Sequence, residues 1–225
     1  MNVVHASGVP GACEARGTVI VIDVLRAFTV SAYALAGGAS EVRLTREVDE
    51  ALELAGQLPG AVVSAEVDGL PVPGIPISNS PTQVRDAELA GRVLVQRSSA
   101  GTQAMTAAVL ADRRYAGSLV VAGATARAVL REGPELVTLV ASRPDHDEDV
   151  ACARLLEALL RGAAEDVDHL LEPLRASERY RDLCAGGTPG FPPSDLELAL
   201  VADRFDFAMP VDEDDLGLRV RAVRG

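Results

Sequence analysis

The chain has 225 residues, 48% apolar and 24% charged, the balance of a globular protein long enough to bury a sizeable core. Its 33 acidic residues outnumber 21 basic ones, and the net charge of −12 repels nucleic acid and anionic membranes, which are bound through clustered positive charge. Every basic residue is arginine, so a Schiff-base mechanism and a phosphate loop with its lysine are both excluded.

No apolar run approaches the roughly 18 residues that span a bilayer. The start, Met1-Asn2-Val3-Val4-His5, lacks the basic-then-apolar order of a secretory leader. Cys13, Cys152 and Cys184 lie far apart and follow no zinc or paired-thiol spacing. Together these features predict a cytoplasmic protein with reduced thiols.

In chain order, Thr18-Val19-Ile20-Val21-Ile22 is apolar without alternation and predicts a strand covered on both faces. Ala27 to Leu35 predicts a helix closed by Gly37-Gly38. Between Arg46 and Gln57, Val48, Ala51, Leu52 and Ala55 form one helical stripe. Ala61-Val62-Val63, Arg92 to Val95, Ser118 to Val121 and Leu136 to Val140 predict further strands, with helices over 102–111, 124–132 and 147–161. Such alternation implies an α/β fold, three layers α/β/α around a largely parallel sheet with Val19 to Ile22 inside it. We expect one domain over residues 1–225, with a boundary near 142–150 if it divides into two lobes.

Towards the C-terminus, helical patterns at about 165–182 and 194–203 precede two expected edge strands, Phe205 to Pro210 and Leu216 to Val220. The Asp212-Glu213-Asp214-Asp215 run between them reads as a solvated turn. Residues 64–81 carry Pro71, Pro73, Pro76 and Pro81 without usable period, the mark of a functional loop.

Ligands of an open parallel sheet bind beyond the carboxyl ends of its strands. Those ends deliver Asp23 and Arg26, then Glu66 and Asp68, then Ser98-Ser99-Ala100-Gly101-Thr102, then Ser142-Arg143 leading to Glu148 and Asp149. Carboxylates suit Mg²⁺, and the fork of arginine suits an oxyanion. The serine-rich turn can bind an oxyanion or merely cap its helix, and Asp23 can likewise serve as a cap. Arg26 either grips phosphate or forms a surface ion pair. The three histidines have no ligand spacing and read as solvated or capping.

No cysteine-x5-arginine loop and no Arg-His-Gly triplet is present, and Asp23-Val24-Leu25 lacks the second aspartate of the haloacid-dehalogenase phosphatases. Metal-activated water is the simplest remaining route to phosphoester hydrolysis.

Val21-Ile22-Asp23-Val24-Leu25-Arg26-Ala27, the Asn79-Ser80-Pro81 triplet, Gly101-Thr102 after a serine pair, and Glu148-Asp149 followed by Cys152-Ala153 share order and spacing with a known family. From about residue 17 to the region of Val211 the chain resembles the 2-phosphosulfolactate phosphatases. The resemblance implies a Mg²⁺-dependent hydrolase that removes phosphate from 2-phospho-3-sulfolactate, a step towards coenzyme M. The expected site then has Asp23, Glu66, Glu148 and Asp149 on the metal, with Asp23, Arg26, Glu148 and Asp149 catalytic. Arg26, Asn79, Ser80, Ser98, Ser99, Gly101, Thr102 and Arg143 would hold a small anionic phosphoester. Resemblance and an apolar C-terminal segment together point to a homodimer.

The chain departs from the family pattern at Val67 (arginine expected), Pro76 (carboxylate), Ala100 and Thr125 (asparagines). These departures bear on the substrate, and they support a second reading in which the anion pocket survives without hydrolysis.

Overall fold

The computed structural model describes residues 1–224. The chain opens with β1 (Asn2–Ser7) and α1 (Gly8–Glu14), neither predicted from the sequence. Then come β2 (Thr18–Ile22), α2 (Ala27–Ala36), β3 (Glu41–Thr45), α3 (Val48–Gln57), β4 (Val62–Val67) and the short β5 (Leu70–Pro71). The middle of the chain forms α4 (Pro81–Arg85), β6 (Val93–Arg97), α5 (Gly101–Ala107), β7 (Arg113–Gly117), α6 (Ala122–Glu132), β8 (Leu136–Ala141) and α7 (Asp147–Leu160). It ends with α8 (Val167–Leu170), α9 (Glu172–Ala176), α10 (Glu178–Cys184), α11 (Ser194–Ala199), β9 (Pro210–Asp214) and β10 (Gly217–Val220). No helix among the described residues is long and apolar enough to cross a membrane.

All ten strands join one mostly parallel sheet in the order β1-β8-β2-β7-β9-β10-β3-β6-β4-β5, with helices flanking it. β2 lies inside it, between β8 and β7, as its unbroken apolar run predicts. Val19 and Val21 enter one core and Ile20 and Ile22 the other, all four fully buried. α2 has no charged residue and is buried from Ala27 to Leu35, so it is a core helix rather than an amphipathic one.

The C-terminal expectations need correction. β9 and β10 are interior strands, forming an antiparallel hairpin that pairs with β7 on one side and β3 on the other. Asp212 to Asp214 are therefore strand residues, not a turn. Their side chains stay exposed and each meets an arginine: Asp212 bonds Arg221 at 2.9 Å, Glu213 bonds Arg114 at 3.0 Å, and Asp214 bonds both terminal nitrogens of Arg43 on β3 at 2.5 and 3.0 Å. Ser118 to Val121 is not a strand: β7 ends at Gly117 and Leu119–Val121 form a 3-10 turn, fully buried but outside the ladder. The helix expected over 102–111 stops at Ala107, and the one expected at 165–182 is three short helices broken near Leu171 and Ser177.

The hairpin also changes where the strand ends go. Three successive antiparallel pairings separate β7 from β3, so the β1/β8/β2/β7 set and the β3/β6/β4 set run in opposite directions. Their carboxyl ends leave opposite edges of the ladder rather than the single edge expected. Two of them still meet, since Gly101 after β6 stands against Asp23 after β2, and α2 shares one core with Val19 and Val21 of the first set and Val42, Leu44 and Leu94 of the second.

Candidate active site

Where those ends meet lies a cavity of about 340 Å³. It is lined by Glu66, Asp68, Gly69, Asn79, Ser99 and Ala100. Arg143, His146, Arg179, Leu183, Thr188 and Phe191 also line it, as do Asp23, Leu25 and Arg26.

Asp23 follows the last residue of β2 and is nearly fully buried. Its Oδ1 accepts the Ala27 N–H at 2.9 Å, so it does cap α2. Capping does not exhaust it, because the side chain also lines the cavity. Burial pushes its pKa from 3.8 up to about 6, and the nearby charges of Glu66 and Glu148 add to the rise. Gly101 stands against it: a Cβ there would fall 2.6 Å from Asp23 Oδ2 and 2.9 Å from Ala27 Cβ. The small residue of the serine-rich turn thus serves close approach, as its sequence suggests.

Arg26 is reached through a cis Leu25–Arg26 peptide. Its side chain is not a surface ion pair but a buried clamp. One terminal nitrogen donates to Asp195 at 2.9 Å and to the Gly190 carbonyl at 2.5 Å, and the other to the Ser78 carbonyl at 3.3 Å. Its guanidinium carbon lies 4.3 Å from the Phe191 ring centroid. Burial lowers its pKa, and the Asp195 bond works against that fall. The fork expected to grip phosphate is largely occupied in tying the segment before α11 to the loop before α4. Asp195 was not foreseen: Ser194-Asp195 reads as an ordinary helix start.

Ser80 belongs to the same clamp, donating to Asp195 Oδ1 at 2.7 Å and accepting from Gln83 N–H at 3.3 Å as the cap of α4. It does not line the cavity. Asn79 does, held at φ 60°, its Oδ1 accepting from Gln96 Nε2 at 3.0 Å. Ser98 and Thr102 satisfy each other, Thr102 N–H donating to Ser98 Oγ at 3.0 Å and Ser98 N–H to Thr102 Oγ1 at 2.9 Å. They act as a capping pair, and only Ser99 and Ala100 of that turn reach the cavity surface.

The carboxylates divide in the same way. Glu66 accepts from Ser99 N–H at 2.5 Å, Gly69 N–H at 2.6 Å and Ser99 Oγ at 3.1 Å, so both oxygens are engaged. Asp149 accepts from Val24 N–H and Ser142 Oγ, each at 2.8 Å. Burial drives its pKa well up, and the charges of Asp23 and Glu148 push the same way. Glu148 is fully buried behind the cavity wall; Oε2 accepts from Arg179 at 2.7 Å, while Oε1 has no hydrogen-bond partner. His146 Nδ1 lies 3.5 Å from that free oxygen. The His146 side chain is only 16% exposed and makes no cap bond, contrary to a solvated or capping role. Burial lowers its pKa.

Among the described residues no group of three His, Cys, Asp or Glu side chains is arranged to hold a metal ion. Arg143 lines the cavity and is half exposed, its Nε 3.3 Å from Asp145. Arg179, on α10, escaped the sequence reading because a lone arginine in an irregular helical stretch carries no spacing signal. Of the departures from the family pattern, Ala100 alone lines the cavity; Val67 and Pro76 are exposed outside it, and Thr125 is buried elsewhere.

Residues 5–184 match the family model described as 2-phosphosulpholactate phosphatase. A probable 2-phosphosulfolactate phosphatase of Bacillus subtilis (strain 168) is 32% identical over 202 residues, 87% of each chain. One of Symbiobacterium thermophilum is 33% identical over 178 residues, covering 77% of this chain and 76% of the relative. Another, of Carboxydothermus hydrogenoformans, is 37% identical over 145 residues, 63% of this chain and 60% of the relative. With four-fifths of its length matched to the family and Asp23, Asn79, Ser99 and Arg143 lining one cavity, the chain belongs to the 2-phosphosulfolactate phosphatase family of phosphoric monoester hydrolases.

Proposed function

We propose that the chain hydrolyses a small anionic phosphoester of the 2-phosphosulfolactate kind, with Mg²⁺, in the cytoplasm. The observation that carries the reading is Asp23, a buried carboxylate with a pKa of about 6 lining a cavity that also holds arginines. A group titrating near neutral pH is suited to proton transfer. Ionised, Asp23 can take the proton of the attacking water as the phosphorus–oxygen bond to the leaving alkoxide breaks. A solvent water protonates that alkoxide, which leaves as the alcohol, and Asp23 returns its proton to solvent.

The donor set fits Mg²⁺ in part. This ion takes one or two carboxylates and fills its remaining positions with water and phosphate oxygens. The partnerless oxygen of Glu148 suits it; Asp23 has Oδ1 on the Ala27 N–H and its other oxygen against the Gly101 backbone, and Glu66 and Asp149 spend both oxygens on protein donors. When bound, the ion would supply charge neutralisation and polarisation of the phosphoryl group. Ser99, Asn79 and Ala100 also line the cavity, and the three free thiols suit a reducing compartment.

The second reading, an anion-binding protein without hydrolysis, draws on Ala100, which faces the cavity with no amide to offer. Hydrolysis of a substrate panel with and without Mg²⁺ separates the two. Failure on every substrate together with tight binding of a small acid overturns the enzyme reading. The homodimer remains a proposal of the family resemblance: Phe207, Met209, Val211, Leu218 and Val220 pack inside the chain's own core, leaving light scattering to decide.

A further inference from the structure

Three arginines line the cavity, and they are not equivalent. Arg26 is nearly fully buried and bonded to Asp195, Gly190 and Ser78. Arg179 keeps 34% of its side chain exposed, and Glu148 is its sole hydrogen-bond acceptor among the described residues. Arg143 is 51% exposed and, among the described residues, meets only Asp145, through Nε. A guanidinium carries five N–H donors in a planar fork. Arg143 and Arg179 therefore have donors left to offer the cavity.

The field around them sharpens the point. Asp23, Glu66 and Asp68 line the same cavity, in a chain of net charge −12, so an anion entering it needs local cations. The bond from Glu148 fixes one edge of the Arg179 guanidinium. A guanidinium keeps its charge at any ordinary pH, so the fork stays cationic. Leu183, on the same helix, adds an apolar flank.

We propose that Arg179, with Arg143 beside it, binds a tetrahedral oxyanion of the substrate; this rests on the phosphoester reading of the same cavity. The chemistry is a charged fork on two anionic oxygens, supplied by a phosphoryl group or by a sulfonate at the other end of the molecule. Position rather than sequence spacing assigns this role to Arg179; Arg143 belongs to the oxyanion set expected from the sequence.

Calorimetric titration of inorganic phosphate and of 3-sulfolactate into the parent, Arg179→Gln, Arg179→Lys and Arg143→Gln tests it. Loss of charge-assisted hydrogen bonds should weaken at least one of the two ligands about ten- to hundredfold in Arg179→Gln. A loss confined to phosphate assigns the phosphoryl end, and a loss seen with 3-sulfolactate but absent when lactate is titrated assigns the sulfonate rather than the carboxylate. Arg179→Lys keeps a charge beside Glu148 without the fork and should recover only part of the affinity. If Arg179 merely neutralises Glu148, its variants melt lower while binding both ligands as the parent does, and the proposal falls. A parent that hydrolyses phosphoesters with kcat/KM unaffected in Arg179→Gln overturns this inference and leaves the phosphatase reading standing. A parent that binds both ligands through Arg179 but hydrolyses nothing does the reverse.

Discussion

Replacing Asp23 with Asn should give a protein that is more stable at pH 8 and inactive. Between its ordinary value of 3.8 and about 6, the folded chain holds the Asp23 proton while the unfolded chain releases it. The folded state therefore loses stability as pH rises through that window, by about 3 kcal/mol once both forms are ionised. Asn is always neutral and escapes that penalty, and its Oδ1 can still accept the Ala27 N–H. Its amide nitrogen, however, replaces an oxygen next to the Gly101 backbone, which costs about 1–2 kcal/mol as an unsatisfied donor. The net gain at pH 8 is about 1–2 kcal/mol, a rise of about 2–6 °C in Tm for a chain of this size. Near pH 4 most of the parent's penalty is gone, and the variant should become the less stable of the two. Thermal melts of both proteins at pH 4 and pH 8, with turnover of a phosphoester at pH 8, read all of this. A variant that melts lower than the parent at both pH values would refute the burial penalty. One that keeps full turnover would leave Asp23 a cap for α2 and nothing more.

The other expectations concern the clamp, the turn and the departures from the family pattern. Arg26→Ala removes one partner of a buried ion pair and should cost about 3–5 kcal/mol, visible as a lower denaturation midpoint; a midpoint near the parent's would contradict the clamp. Gly101→Ala sets a methyl group 2.6 Å from Asp23 Oδ2, so both turnover and Tm should drop, and unchanged kinetics would mean that α5 shifts freely. Val67→Arg restores the family's arginine at an exposed position outside the cavity and should change kcat/KM less than about twofold. Ala100→Asn, on the cavity wall, should change it more, and a larger effect at Val67 than at Ala100 would reverse the ranking drawn from exposure.

What could be read in the chain before folding was whatever leaves a local trace. The run from Val19 to Ile22 is β-branched and unbroken, so its burial on both faces follows from composition. The capping ability of Asp23 and of the Ser98/Thr102 pair follows from residue type at a helix start. The motif around Asp23 pointed to the family, which the match over residues 5–184 bears out. Long-range pairing leaves no such trace. Nothing near Arg26 signals that Asp195, 169 positions away, takes its charge. Nothing in Asp212 to Asp214 signals that Arg43, Arg114 and Arg221 pair this acidic run within a sheet. The β9–β10 hairpin reverses the strand direction between two parallel sets, so a cavity first placed on one edge is made where two opposed edges meet over α2. Sequence determined which residues are able to bind a metal, cap a helix or grip an oxyanion, because that ability is a property of each side chain. Tertiary structure decided which of them are free to do so, because a guanidinium or carboxylate already bonded to a distant buried partner has little left to offer a ligand.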